Sequence, residues 1–131
     1  MANIAQAMTK SLLDWALGGA SPSAPAGRFC GLSLGAPSSV SMSEAAGSVT
    51  RQSCVFGAAG TPSGSGTATN NAAMTFPAVA ASNVISGLFI ADSVSSAAGT
   101  NLFYVTLATP RTLLSGDQLI VGSGAITVTL S

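Results

Sequence analysis

No histidine occurs anywhere in the 131-residue chain. That removes the commonest general base, the commonest metal ligand and every Ser–His or Cys–His nucleophile pair. Charge is almost as scarce. The basic residues are Lys10, Arg28, Arg51 and Arg111, and the acidic ones Asp14, Glu44, Asp92 and Asp117. Charged residues make up 6% of the chain, against about a quarter of an average soluble domain. Four scattered cations matched by four acids cannot make the clustered Lys/Arg footprint of a nucleic-acid binder, so nucleic acid is excluded as a partner. No unbroken run of about 18 apolar residues occurs, and no membrane partner is expected. Two cysteines without a histidine do not make a zinc site. Aromatics are 5% of the chain, too few to supply the stacking platform of a sugar-cleaving site.

Little chemistry survives this thinning. A glycosidase needs two carboxylates to converge, and each of the four here has an ordinary structural explanation. Asp14 falls on a helix, Glu44 in a loop and Asp92 at a strand end, while Asp117 sits in the turn composition Ser115-Gly116-Asp117. The glycine-rich stretch 57–66 holds no lysine and does not lie between a strand and a helix, so it is no phosphate loop. The expectation is a protein without catalytic residues, cofactor or metal, and not an enzyme.

What the chain does have is apolar content without the means to stay apart. Hydrophobic residues reach 47% and the formal net charge is zero. Disorder is marked by the opposite composition. A freely diffusing domain keeps a mixed, charged surface and a net charge away from zero. Here the polar surface is left to Ser, Thr, Asn and bare backbone, which is easily desolvated. Such a chain is expected to be covered by neighbours, including copies of itself.

The only helical period lies at residues 3–17. Ile4, Met8, Leu12 and Trp15 recur on one face, and Leu13, Ala16 and Leu17 widen it. Asn3 reads as the N-cap and Gly18-Gly19 as the stop. Lys10 and Asp14 interrupt what would be the apolar core of an export signal, and Trp15 is bulky near any cleavage site, so the segment is expected to be retained. The stripe Ile4, Met8, Leu12 and Trp15 must cover either an open face of the same domain or a groove on a neighbour, and these residues are candidate assembly contacts. A tryptophan at helical spacing belongs more often to a core than to a contact.

Beyond a Pro-containing linker at 20–27 the period becomes that of strands. Expected strands are 28–34, 49–56, 72–76, 84–91, 102–108, 119–121 and 126–130, with 38–48 and 57–69 as loops. The pair 84–91 and 102–108 is strongest and reads as antiparallel. Gly122-Ser123-Gly124 has the composition of a tight hairpin between the last two strands. In the last one, Ile126, Val128 and Leu130 share a face, opposite Thr127 and Thr129. The whole reads as mainly β: an N-terminal α-helix at 1–19, then a single antiparallel β-sandwich or Greek-key-like domain at 20–131.

Cys30 and Cys54 fall in two expected strands. They are either a pair of buried thiols acting as small hydrophobes or one disulfide tying the strands. Arg51, a lone strand arginine, either pairs with a carboxylate across a subunit boundary or is simply solvated.

In order along nearly the whole chain, these segments resemble a family of small bacteriophage virion proteins often labelled tail fibre or minor structural protein. The likeness runs through KSLLDWALGG (10–19), FCGL (29–32), TRQSCVF (50–56) and NAAMTFP (71–77). Its most specific stretch is NLFY (101–104), SGD (115–117) and AITVTL (125–130). Two departures stand out: 33–37 replaces the family's longer first strand, and Cys30 and Cys54 stand where the family commonly has aliphatic residues. The resemblance therefore carries no role onto the cysteines. It implies a non-enzymatic structural protein assembled in the host cytoplasm and carried on the particle surface. Its partners would be major capsid or tail proteins and copies of itself. A fibre calls for a long shaft, repetitive or coiled, and a separate tip. One domain without heptads or repeats points instead to decoration or cement on the capsid, or to a short head or tail appendage. A tail fibre or receptor- or carbohydrate-binding module is the alternative. A pilus or surface-layer subunit shares the composition but would carry a cleaved export signal.

Overall fold

The structure, a computed structural model, describes residues 2–45, 50–60, 66–95 and 98–130. They form strand β1 (Asn3–Ile4), helix α1 (Gln6–Ala16) and strands β2 (Phe29–Ser33), β3 (Gln52–Ser53), β4 (Gly66–Thr69) and β5 (Met74–Thr75). Strands β6 (Asn83–Ala91), β7 (Asn101–Leu113), β8 (Ile120–Val121) and β9 (Thr127–Leu130) follow. The molecule is mainly β with one helix, and every pairing of strands is antiparallel.

Five strands make the main sheet in the order β1-β7-β6-β2-β3. Its centre is β6, where Gly87 to Ala91 are all buried. Cross-strand register places Cys30 opposite Ile90 and Leu32 opposite Leu88, so one face of β2 and β6 is continuous and apolar. Two ribbons, β4–β9 and β5–β8, supply the second layer. Met74, Phe76, Val79, Val121 and Ile126 from this part of the chain join Cys30, Leu32, Ile85, Leu88 and Ile90 in one core. At about 25 cal/mol per Å² of apolar surface removed from water, this core is the main stabilising term.

Several sequence expectations change here. The last two strands do not pair with each other: β8 joins β5 and β9 joins β4. Gly122–Gly124 is a turn between two ribbons, and Gly124 (φ 76°) donates its N–H to the Asn70 carbonyl at 2.7 Å. Strand β4 lies within the stretch expected to be loop, because β9 offers it a complete edge from Gly66 to Thr69. The expected strand 49–56 is regular only at Gln52–Ser53, and Val49 falls outside the described residues. Its backbone changes partner: the Cys54 N–H donates to the Arg28 carbonyl just before β2, whereas the Val55 carbonyl accepts from Asn71.

Strand β7 continues past Ala108 to Leu113 despite Pro110. The register jumps from Gly87↔Thr106 to Ile85↔Arg111, so four residues of β7 oppose Ser86 alone. A bulge of this kind is where a residue without an N–H is tolerated.

The helix starts later than the sequence pattern indicates. Asn3 and Ile4 are strand residues paired with Tyr104 and Phe103, and Ala5 holds the N-cap without a side-chain bond. Backbone partners replace the cap: the Ala5 N–H donates to Leu102 and the Gln6 N–H to Ser39, both at 2.9 Å. The stop is as expected. Gly18 (φ 88°) and Gly19 donate to the carbonyls of Trp15 and Asp14, closing the helix in a Schellman turn.

Candidate assembly surface

The expected stripe is partly covered over most of its length and opens at the helix C-terminus. Ile4, Met8 and Leu12 are half-buried, with Met8 packed against the core, but Trp15 is 55% exposed. No residue of α1 is buried, and its packing partner in the main sheet is β7. The helix is therefore partly covered at its start and stands exposed at its overhanging end. Trp15 does not reach the core. Leu13 and Leu17, on the other side of the helix, are 56% and 79% exposed. The overhanging end is thus apolar around most of its circumference, which a solvated helix does not sustain.

A second apolar feature opens where the main sheet meets the β4–β9 ribbon. It is a pocket of about 230 Å³ walled by Ile90, Phe103, Ala68, Val128 and Leu130, with Arg28 at its rim. Val128 is buried and Leu130 42% exposed, so the apolar face of β9 runs from core into pocket. Arg28 is exposed and makes no ion pair among the described residues. Leu13 and Leu17 are signalled in the sequence only as residues that widen the stripe, and no local pattern singles out Arg28 as a contact.

Arg51 is neither solvated nor turned toward a neighbour. It is buried and forms a two-pronged ion pair with Glu44 of the same chain, Nε to Oε1 at 2.8 Å and Nη2 to Oε2 at 2.9 Å. Its Nη1 donates to the Ser93 carbonyl at 2.8 Å, and the guanidinium lies 5.1 Å from the Phe89 ring centroid. A planar fork with five donors can hold three chain segments at once.

The other carboxylates also serve the fold. Asp92 accepts from the Thr100 N–H at 2.6 Å, Asp117 accepts from the Leu114 N–H at 2.9 Å, and Asp14 pairs with Lys10 on the helix surface. Cys30 and Cys54 are buried free thiols in the same core. Burial is the main cause that pushes Cys30 up to about 12 and Cys54 up to about 11. A thiol held protonated in this way is a poor nucleophile. Among the described residues no cluster of His, Cys, Asp or Glu could hold a metal, and no helix is long and apolar enough to cross a membrane.

Residues 3–129 match the family model described as podophage GP4 fiber I protein gp80. The chain belongs to this family. It is a bacteriophage structural protein associated with the virion. No curated protein matches the chain. The match to this fibre family spans the overhanging helix and every residue lining the pocket except Leu130.

Proposed function

We propose that the protein is a non-enzymatic structural subunit of a phage tail fibre, acting by packing against other virion proteins and copies of itself. The exposed Leu13, Trp15 and Leu17 at the end of α1 carry this reading. Burying the exposed part of Trp15, 55% of the residue, removes on the order of 100 Å² from water. At about 25 cal/mol per Å² that is about 2–3 kcal/mol per contact before association costs, multiplied over every copy. Absence of histidine and the structural use of all four carboxylates support a role without catalysis.

The family description favours a fibre over capsid decoration. Decoration is the second reading, favoured by a sequence without repeats or heptads. Labelling the protein with an antibody on intact particles distinguishes them: signal on tail appendages is expected, and signal over the whole head would support decoration. Incorporation is expected to fail for Leu17→Asp, which places a charge at the most exposed apolar position without touching the core. Normal incorporation of that variant, or absence of the protein from particles, would overturn the packing role.

A further inference from the structure

We propose that copies of this chain join head to tail, the overhanging end of α1 on one copy seated in the apolar pocket of the next. The inference rests on the packing role proposed above and names the partner as a second copy.

Both halves of the contact are present on one chain, and neither is filled by the described residues. The projecting half is Trp15 at the end of α1, 55% exposed. The receiving half is the pocket of about 230 Å³ between the main sheet and the β4–β9 ribbon. That volume lies below the ~300 Å³ at which small-molecule sites begin, and it suits one or two side chains. Ile90, Phe103, Val128 and Leu130 make its wall apolar.

Charge completes the match. Asp14 sits beside Trp15, and its side-chain partner on the helix is Lys10, 76% exposed. Exposed pairs at this spacing contribute little and exchange partners readily. Arg28, at the pocket rim, has no ion pair among the described residues. An apolar projection flanked by a carboxylate thus meets an apolar hollow flanked by a guanidinium.

Because the two patches differ, the contact is heterologous. Each added copy leaves one projection and one pocket free, so assembly continues until a ring closes or a filament extends. Pairing of two α1 ends with each other would instead stop at a dimer.

Sedimentation of the full chain over a range of concentrations tests this, using two kinds of variant. Trp15→Asp removes the projection. Ala68→Trp fills the pocket, and Ala59→Trp fills it from a loop should the change in β4 disturb folding; circular dichroism confirms which variants are folded. Wild type is expected to oligomerise and each folded variant to remain monomeric. An equimolar mixture of the two kinds is expected to form heterodimers, on the order of tenfold more tightly than either associates alone. In that mixture the intact projection of the pocket variant enters the intact pocket of Trp15→Asp. Arg28→Glu is expected to weaken wild-type association and Asp14→Arg to restore it.

A monomeric wild type, a filled-pocket variant that oligomerises normally, or a mixture without heterodimers would each overturn the head-to-tail contact. The last two would follow from helix-on-helix pairing or from a pocket occupied by the chain's own segment. If wild type oligomerises and enters particles without complementation, the packing role stands and only this contact falls.

Discussion

Gly31 and Phe89 face each other across β2 and β6, and the Phe89 ring occupies the space that a side chain at position 31 would need. A Cβ placed there would come within 2.3 Å of the ring. The glycine is required for this close approach and not for an unusual backbone angle. Gly31→Ala is expected to displace the ring and destabilise the protein by about 1–3 kcal/mol, as overpacking does. Combining it with Phe89→Leu should cost less than the sum of the single changes, because the two residues share one space. Urea unfolding of the four proteins measures this.

The ring also lies against Arg51, whose ion pair with Glu44 is largely shielded, the two side chains being 6% and 17% exposed. Removing one partner leaves a buried charge uncompensated. Arg51→Ala or Glu44→Ala is expected to cost about 3–5 kcal/mol, whereas an apolar pair such as Arg51→Met with Glu44→Leu should cost much less. Lys10→Ala, which breaks the exposed pair with Asp14, should change stability by less than about 1 kcal/mol. Equal losses from the two pairs in thermal unfolding would refute the assignment.

Asn70 is a second buried polar centre. Its Nδ2 donates to the carbonyls of Ala72 and Gly122, at 2.9 and 2.8 Å, and its Oδ1 accepts from the Ile126 N–H at 2.7 Å. Asn70→Ala is expected to cost about 1–3 kcal/mol, chiefly from groups left without partners. Asn70→Asp should be no better, since a carboxylate cannot donate to two carbonyls. Hydrogen exchange at Ile126 should accelerate in both variants.

The thiols set a limit at alkaline pH. Burial raises both from 9.0, Cys30 to about 12 and Cys54 to about 11; for Cys54 the nearby Arg28 offsets part of the rise. Above pH 9 the unfolded chain therefore releases protons that the folded one retains. Their contribution to stability is complete below pH 9 and is lost as pH rises toward 11 and 12. Urea midpoints should fall across that window in wild type, and less in a Cys30→Ala, Cys54→Ala double variant. In the folded protein at pH 8 both thiols should resist alkylation.

Much of the architecture was legible in the residues. Strands β2, β6 and β7 follow from dense β-branched and aromatic segments, and the helix stop follows from the Gly18-Gly19 pair, of which Gly18 takes positive φ. The missed strand β4 (Gly66–Thr69) has the composition of a loop and becomes a strand only because β9 lies beside it. Arg51 was misread for a similar reason. The carbonyls that its Nη1 reaches belong to residues 42 and 47 positions away, and no local pattern records them.

By itself the sequence determined the absences and the local preferences. With no histidine and four carboxylates there was little from which to build catalysis, and alternation and glycine placement set where the backbone extends, coils and turns. Tertiary structure decided which surfaces remain open. The stripe Ile4, Met8, Leu12 and Trp15 is continuous in sequence, yet the fold partly covers its first part and leaves Trp15 exposed. Side-chain periodicity specifies which residues share a face, but the packing of the folded domain specifies how far that face is covered.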